Sequence, residues 1–368
     1  MIREVAFLNF RGIKEGRLSL YPLTVLLGAN NSGKTTVLEA LYLLRPPDIT
    51  YLSTYATART GKKSMEEARV LSVAEVIHYY HSILRSRGFK FLVRNYKGEA
   101  RIGCRLNGKF KGIAFKSELK GVRARGASIS ANAYEDIMTF VRKGLGAKTP
   151  GVLEPREEGV LLKDDGTTSR HEEPAGCLFI KPAILSLAFE FLKNSWYDIR
   201  SRGLTGKVAR ELSSLVSEDY DDLTLEPHIG PGLSLIVTLK GSKVGIRLSD
   251  LGDGMRVLAV TMLLWELLRA DLLLWDDIEA FMNPSTLLYV ADWVASLVKG
   301  GAQAVVATHS LEAAKLLLRE AEEASIEARA ILLGLWDGEL RHRVLTLDEL
   351  ERLKAAGVDV RVAGGFLL

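Results

Sequence analysis

A phosphate-binding loop near the start of the chain constrains its fold more than any other feature. Residues 28–36 read GANNSGKTT, which fits the P-loop pattern GxxxxGK[ST]. An apolar run at 23–27 precedes the loop and predicts a buried strand, and the segment 37–44 follows it and predicts a helix. Strand, glycine-rich loop and helix in this order is the context that the motif requires. The sequence therefore predicts an α/β fold of the P-loop NTPase type.

The residue types of this loop suit a nucleoside triphosphate. We expect the backbone N–H groups of the loop and the N-terminus of the helix to hold the phosphates. Lys34 would reach the β- and γ-phosphates, and the hydroxyl of Thr35 would ligate Mg²⁺. The predicted cofactors are ATP and Mg²⁺. The predicted nucleotide contacts in the loop are Asn30, Asn31, Ser32, Gly33, Lys34, Thr35 and Thr36.

A second apolar run, at 272–275, ends in two aspartates and predicts the other half of the site. A P-loop needs a carboxylate for Mg²⁺ at the end of such a strand, and Asp276 supplies one. Asp277 comes where a base for the attacking water would lie, and Glu279 is a second candidate for that base. The alternative for Asp277 and Glu279 is that they cap the following helix.

Strands and helices alternate through the C-terminal part of the chain. Apolar patterns predict strands at 272–275 and 304–307 and helices at 284–299 and 311–324. This alternation predicts a mostly parallel sheet flanked by helices. His309 follows the second of these strands, and it either contacts the γ-phosphate or its water or caps the next helix.

The middle of the chain has a different character. It predicts an inserted lobe, 46–222, between two parts of a nucleotide-binding core, 1–45 and 223–368. Within the lobe, 65–84 and 178–220 favour helices, whereas the region between about 86 and 125 favours a β-rich arm. The arm is predicted from strands at 89–94, 100–106 and 109–116 and from turns at Lys97-Gly98 and Asn107-Gly108.

Positive charge is concentrated in the segment 85–125, although the whole chain carries a net charge of only +4. This segment has 13 Lys and Arg residues and two acidic residues. Basic side chains that recur along hairpin strands would form a positive surface suited to the backbone of DNA or RNA. The alternative is a solvated basic face that acids elsewhere in the fold balance. The candidate nucleic-acid contacts are Arg94, Arg101, Arg105, Lys109, Lys111 and Lys116.

Composition narrows the class of protein further. The chain has only one glutamine, Gln303, while 26% of its residues are charged, a balance typical of thermophiles. Its two cysteines, Cys104 and Cys177, are too few for a disulfide framework and predict reduced, buried thiols. We expect no signal peptide, no membrane partner and a cytoplasmic location, because no apolar stretch is long enough to cross a bilayer.

Together these motifs resemble those of the ABC-type ATPases of the RecF, SMC and OLD group. The resemblance rests on LNFRGI at 8–13, LSDLGDGMR at 248–256 and DDIEAFMNP at 276–284, which are similar to the group's opening, signature motif and Walker B with D-loop. It implies ATP hydrolysis by a homodimer that pairs head to tail on ATP. It also implies that Arg11 reaches the bound nucleotide and that His309 is the switch histidine.

In this group the signature helix of one subunit directs its N-terminus at the γ-phosphate held by the other, a role that Gly252, Asp253 and Gly254 carry over here. Three departures stand out. Asp277 replaces the usual glutamate, Gly252 comes where many members have serine, and no glutamine is present at the Q-loop. The residue that replaces this glutamine is not evident from the sequence. We expect no long coiled coil and no Toprim nuclease domain, because heptads are lacking and only 59 residues follow His309.

The resemblance favours a DNA-associated ATPase in repair, chromosome maintenance or defence. One alternative is a regulatory clamp in which ATP only sets a conformation, and Asp277 keeps this open. Another is a partner-driven ATPase whose effector is a separate protein. A third, the ATP-binding subunit of a transporter, is disfavoured by Asn9-Phe10-Arg11, the basic segment and the missing glutamine.

Overall fold

The computed structural model is an α/β fold built on one sheet of twelve strands. The structure describes residues 1–45, 77, 89–107, 109–118, 121–129, 160–163, 176–182, 185–216, 218–227, 232–242, 245–359 and 367–368. In chain order the strands are β1 (Ile2–Phe10), β2 (Ile13–Ser19), β3 (Leu23–Leu27), β4 (Glu99–Leu106), β5 (Lys109–Glu118), β6 (Gly121–Ile129), β7 (Val160–Lys163), β8 (Cys177–Ile180), β9 (Tyr220–Pro227), β10 (Leu233–Leu239), β11 (Gly245–Arg247), β12 (Leu272–Trp275), β13 (Gln303–Ala307), β14 (Ala328–Trp336) and β15 (Glu339–Leu345). The helices are α1 (Lys34–Leu44), α2 (Leu185–Asn194), α3 (Trp196–Ser201), α4 (Leu204–Ser213), α5 (Asp253–Leu268), α6 (Pro284–Lys299), α7 (Leu311–Glu323) and α8 (Leu347–Ala355).

Five neighbouring strands run parallel and bring the predicted motifs to one edge of the sheet. Their spatial order is β14, β3, β13, β12 and β8. Every residue of β3, β8, β12 and β13 is buried, which explains why these strands are continuous apolar runs. Because the strands are parallel, the loops that leave their carboxyl ends lie side by side.

The other half of the same sheet is antiparallel. β1 pairs with both β2 and β4, and β5, β6 and β7 continue the sheet beyond β4. β15 folds back on β14 and meets β2, which closes the connection between the two halves. The basic segment therefore extends the main sheet through β4, and a separate three-stranded sheet contains β9, β10 and β11.

The longest helices pack against the parallel strands and against one another. Ten of the eleven residues of α5 from Met255 to Trp265 are buried. This helix contacts α2, α3 and α4 as well as β8. α6 begins at Pro284, and the side chain of Asn283 caps it by accepting a hydrogen bond from Thr286 N at 2.8 Å. None of the helices in the described part of the chain is both long and apolar enough to span a bilayer.

The predicted fold class is confirmed, including the parallel sheet with flanking helices. The predicted bounds of the strand at 272–275 and the helix at 284–299 agree with β12 and α6. Cys104 and Cys177 are free and buried, as predicted. The division into a core and an inserted lobe stays a prediction. Of the helix predicted at 65–84, all residues except Ile77 lie outside the described part.

Two predicted elements are wrong. The segment 89–94 is not a strand, because it forms 3-10 turns at Lys90–Leu92 and Arg94–Tyr96. Asn95 and Tyr96, which directly follow this segment, have positive φ angles of 54° and 61°, so the chain turns there.

The segment 178–220 does not begin as a helix, since its first residues belong to β8. A buried run of four apolar residues has no periodicity that separates a strand from a helix.

Candidate nucleotide-binding site

The loop between β3 and α1 has a backbone that requires its glycines. Gly28 has a φ of 146°, and a Cβ there would meet the carbonyl oxygen of Leu333 at 2.5 Å. Gly33 has a φ of 96° and directly precedes the first turn of α1. Any residue with a Cβ atom would be strained at both positions. Of the other loop residues, Asn30 and Asn31 are exposed and Ser32 is buried.

Lys34 folds back over this loop. Its ammonium donates to the carbonyl oxygens of Gly28 at 2.8 Å and Ala29 at 3.0 Å. Burial lowers the pKa of Lys34, and the negative charges of Asp276, Asp277 and Glu279 oppose that shift. Lys34 therefore places a cation beneath the loop, close to three carboxylates.

The P-loop and the end of β12 are joined by a hydrogen bond. Thr35 Oγ1 donates to Asp276 Oδ2 at 2.9 Å, although 241 positions separate the two residues in sequence. Asp276 is only 2% exposed. A hydroxyl and a carboxylate are the hard oxygen ligands that Mg²⁺ prefers. The donor set thus fits a Mg²⁺ ion that would take its other ligands from phosphate and water.

The two candidate bases differ in their surroundings. Glu279 accepts from Thr308 Oγ1 at 2.6 Å and from the backbone N–H of His309 at 2.8 Å, so both of its oxygens are engaged. Asp277 is about half exposed, and its Oδ1 lies 3.8 Å from Nε2 of His309. Burial and the charges of Asp276 and Glu279 raise the pKa of Asp277. The structure thus brings His309 to the same edge as Asp277.

A lysine that the sequence analysis did not single out also reaches this edge. Lys181 directly follows β8, and its Nζ lies 3.2 Å from Asp276 Oδ2. Recognising β8 as a strand would have revealed it, because a charged residue directly after a buried parallel strand falls at the carboxyl edge. Because the sequence pattern assigned 178–220 to helices, it did not predict that Lys181 follows a strand.

Arg11 points to the interior of the protein. Its guanidinium pairs with the fully buried Glu39 of α1 and lies 5.8 Å from the ring centroid of Phe91. Burial lowers the pKa of Arg11 to about 10, against the opposing effect of Asp276. Arg11 is therefore charged at neutral pH. The contact of Arg11 with a nucleotide stays a prediction.

The predicted signature residues form the start of α5. Gly252 has a φ of 101°, and no atom of the described residues lies within 4 Å of a Cβ placed there. Asp253, the first residue of the helix, pairs with Arg256 at 2.7 Å. A Cβ at Gly254 would lie 2.7 Å from the carbonyl oxygen of Phe281, so this glycine permits a close approach to the loop after β12. The side chain of Phe281 is 55% exposed.

Three of the candidate nucleic-acid residues lie on one face of the sheet. The positions of Arg101, Arg105 and Lys116 lie on one face of the antiparallel sheet, since β4 alternates and Lys116 pairs with Glu99. Lys109 and Lys111 pair in register with Leu106 and Cys104.

Two of these residues are also engaged within the fold. Arg101 is largely buried and donates to Glu99 at 2.5 Å. Arg94 lies outside the strands and donates to the carbonyl oxygen of Asp337 at 3.4 Å.

Two family models match the chain. One, described as an AAA ATPase domain, matches residues 1–138. The other, described as an AAA domain, putative AbiEii toxin, type IV TA system, matches residues 185–314. These segments contain the P-loop, the signature residues and the Asp276 segment.

The chain is also similar to individual proteins. It is 31% identical to an uncharacterised protein of Methanocaldococcus jannaschii over 116 residues, which are 30% of this chain and 99% of the relative. An Smc head crystallised with the C-winged helix domain of ScpA is 13% identical, with a TM-score of 0.51 over 95% of this chain and 99% of that one. An Smc head with an extended coiled coil, bound to the C-terminal domain of ScpA derived from Pyrococcus furiosus, is 15% identical, with a TM-score of 0.47 over 96% and 98%.

The fold and the family models agree with the motifs that the sequence presents. The P-loop leads into α1, Asp276 follows a buried parallel strand, and the signature residues open α5. The two matched segments cover the same parts of the chain. The chain therefore contains segments that match AAA ATPase domains, and its fold resembles that of an Smc head.

Proposed function

We propose that this protein binds and hydrolyses ATP with Mg²⁺, pairs head to tail with a second copy on ATP, and associates with DNA. The observation that carries the proposal is the 2.9 Å hydrogen bond between Thr35 and Asp276. It unites the phosphate-binding loop with the carboxylate that a Mg²⁺ ion requires. Bound Mg²⁺ would neutralise phosphate charge, and the remaining roles fall to side chains of this chain.

Each side chain at the edge of the sheet suits one role. Thr35 and Asp276 would hold Mg²⁺, and Lys34 would leave the carbonyl oxygens of its own loop to contact the phosphates. Asp277 would accept the proton of the attacking water, since its oxygens are not committed as those of Glu279 are. Glu279 would position the turn that carries His309.

The start of α5 supports pairing of two copies. The N-terminus of this 16-residue helix, next to a glycine with open space around it, offers backbone N–H groups and a partial positive charge to an anion. A γ-phosphate held by a second copy would supply that anion. ATP binding would then stabilise the dimer, and hydrolysis would release it.

Association with DNA is supported by the basic face of β4 and β5. Arg105 and Lys116 are exposed there, and phosphate contacts of this kind carry no sequence information. We therefore expect weak sequence preference and strong salt dependence. An alternative partner is a separate effector protein, as for the Smc head whose crystal structure contains a domain of ScpA.

The first test is steady-state ATP turnover by the purified chain, with and without double-stranded DNA, beside a Lys34→Ala variant. The expected result is turnover that needs Lys34 and rises with DNA in a salt-sensitive manner. Turnover that ignores DNA would remove the DNA part of the proposal and point to a protein partner. Equal turnover by Lys34→Ala would show that the activity does not come from this site.

A further inference from the structure

Lys181 lies beside the proposed metal ligand because of how two strands pair. β8 and β12 are parallel, with Ile180 opposite Trp275, and Asp276 N donates to the carbonyl oxygen of Ile180 at 2.8 Å. The residues that follow the two strands, Lys181 and Asp276, therefore leave the sheet side by side. Lys181 Nζ reaches Asp276 Oδ2 at 3.2 Å, and the lysine side chain is 19% exposed.

One oxygen of Asp276 is thus in contact with two hydrogen-bond donors. Oδ2 accepts from the hydroxyl of Thr35 and also contacts the ammonium of Lys181. A buried carboxylate requires a partner of opposite charge, because removing it from water is costly. Lys34, the other lysine near this edge, donates to the carbonyl oxygens of Gly28 and Ala29. Lys181 therefore supplies the cation that contacts Asp276.

The same lysine begins the connection to the helices that pack against the signature helix. Pro182 follows it, and α2 begins at Leu185. α2, α3 and α4 all contact α5, which starts at the proposed signature residues. A change in the position of Lys181 would thus act on the short link between the nucleotide site and this helical group.

We propose that Lys181 is the counter-ion of Asp276 in the nucleotide-free protein and passes to the γ-phosphate when Mg·ATP binds. Charge would stay balanced, since Asp276 would hold Mg²⁺ in place of the ammonium, and the ammonium would gain the γ-phosphate as its partner. ADP has no γ-phosphate, so the exchange distinguishes ATP from ADP. Lys181 would then take the role of the Q-loop glutamine, which this sequence lacks. The inference rests on the proposed ATP-binding function.

The experiment compares Lys181→Met, which keeps the aliphatic stem and removes the ammonium, with Lys181→Arg, which keeps the charge. Calorimetry measures the Kd of the Mg²⁺ complexes of ADP and of a non-hydrolysable ATP analogue. We expect Lys181→Met to lower the preference for the ATP analogue over ADP about tenfold, which corresponds to the loss of one charge-assisted hydrogen bond to the γ-phosphate. The absolute affinity for both complexes also contains the gain from removing the ammonium that competes with Mg²⁺, so the ratio of the two Kd values is the readout. Lys181→Arg should retain the preference for the ATP analogue.

A second readout needs no nucleotide. Mn²⁺, which can be followed by electron paramagnetic resonance, replaces Mg²⁺ in a titration of the nucleotide-free protein. Lys181→Met should bind Mn²⁺ about tenfold more tightly than the unchanged chain, because no ammonium competes for Asp276. The matched control is Lys240→Met, which removes an exposed lysine 3.8 Å from Asp219 and should behave as the unchanged chain in both titrations.

Two results would overturn the inference. One is an unchanged ratio of the two nucleotide affinities in Lys181→Met, and the other is equal Mn²⁺ affinity with and without the ammonium. A thermal unfolding curve confirms that the variant is folded, and Lys181→Gln serves as a second variant if Lys181→Met is not. If the unchanged chain binds neither nucleotide, the proposed function fails, whereas the Mn²⁺ titration still tests the counter-ion role by itself.

Discussion

The acidic residues that follow β12 are distinguished by what their oxygens already bind. Asp276 accepts from Thr35 and contacts Lys181, and Glu279 accepts from Thr308 and from the N–H of His309. Asp277 lies at the half-exposed edge, 3.8 Å from the imidazole of His309. A base must be able to reach a water, and its oxygens must not be held by other donors. Asp277 meets that requirement and Glu279 does not.

We expect Asp277→Asn to lose most ATP turnover and Glu279→Gln to keep most of it. A positioned general base contributes about 10²–10⁴-fold, so Asp277→Asn should fall within that range below the unchanged chain. Glutamine at 279 can still accept from the N–H of His309 and place its amide near Thr308, which preserves the turn. Steady-state turnover under saturating Mg·ATP measures both variants.

Removing the carboxylate of Glu279 altogether has a different expected effect. Glu279→Ala removes the acceptor of the His309 N–H and the nearer acceptor of the Thr308 hydroxyl, which should cost about 1–3 kcal/mol of unfolding free energy. Chemical denaturation measures this loss, and Asp277→Asn is its control because Asp277 makes no comparable pair of hydrogen bonds in the described part of the chain.

The assignment of Asp277 as the general base would be wrong if Glu279→Gln abolished ATP turnover while Asp277→Asn preserved it.

At the scale of elements, the start of α5 depends on the close approach of Gly254 to the loop after β12. A methyl group at Gly254 would lie 2.7 Å from the carbonyl oxygen of Phe281, and backbone cannot move as freely as a side chain. We expect Gly254→Ala to destabilise the protein by about 1–3 kcal/mol, the usual cost of overpacking. Thermal unfolding measures it. Gly232→Ala is the matched control, since a methyl group there meets no atom of the described residues within 4 Å. An equal loss in both variants would contradict the argument.

The elements that the sequence predicted well share strong local signals. β3 and β12 are fully buried apolar runs, and α6 has an asparagine cap followed by proline at its first position. β8 is equally buried but has only four residues and no turn chemistry of its own, and the parallel partner β12 is what makes it a strand. Lys181 was missed for the same reason, because its place depends on a pairing between distant segments.

Contacts between site residues that are distant in sequence could be predicted only where both residues belong to a known motif. The P-loop threonine and the aspartate after β12 belong to one known arrangement, so their contact could be expected. The pairing of Arg11 with Glu39 has no such pattern, since it joins the turn after β1 to a buried residue of α1. The hydrogen bonds of Glu279 likewise depend on β13 lying next to β12.

At the scale of the whole molecule, the basic segment belongs to the main sheet through the pairing of β4 with β1. Its exposed positions on one face, Arg105 and Lys116, are the sites to test. We expect Arg105→Glu and Lys116→Glu each to weaken DNA binding and to reduce the slope of log K against log salt concentration by about 0.9. Fluorescence anisotropy with a labelled duplex measures both quantities. Lys299→Glu, at the exposed end of α6, is the control, and equal effects of all three variants would indicate a solvated basic face.

A second property of the whole molecule is the apolar surface beside its proposed signature. Phe281 is 55% exposed, although a large aromatic side chain is usually covered, and its carbonyl oxygen lies against Gly254 at the start of α5. Phe281 also adopts a positive φ of 67°, a conformation that costs a bulky residue free energy. An aromatic side chain held in this way, next to the helix end proposed to bind phosphate, is well placed to pack against a second copy.

We therefore expect Asp277→Asn with Mg·ATP to accumulate as a dimer, since ATP binds but is not consumed. Adding Phe281→Asp to that variant should return it to the monomer, because a charge would be buried in the interface. The P-loop of the monomer should still bind ATP, with the affinity of a single copy. Light scattering after size-exclusion chromatography measures the mass, and calorimetry measures ATP binding. Tyr197→Asp is the control, as Tyr197 on α3 is 82% exposed and lies away from the signature residues in sequence. A mass that stays monomeric with Mg·ATP, or a dimer that tolerates Phe281→Asp, would contradict pairing through this surface.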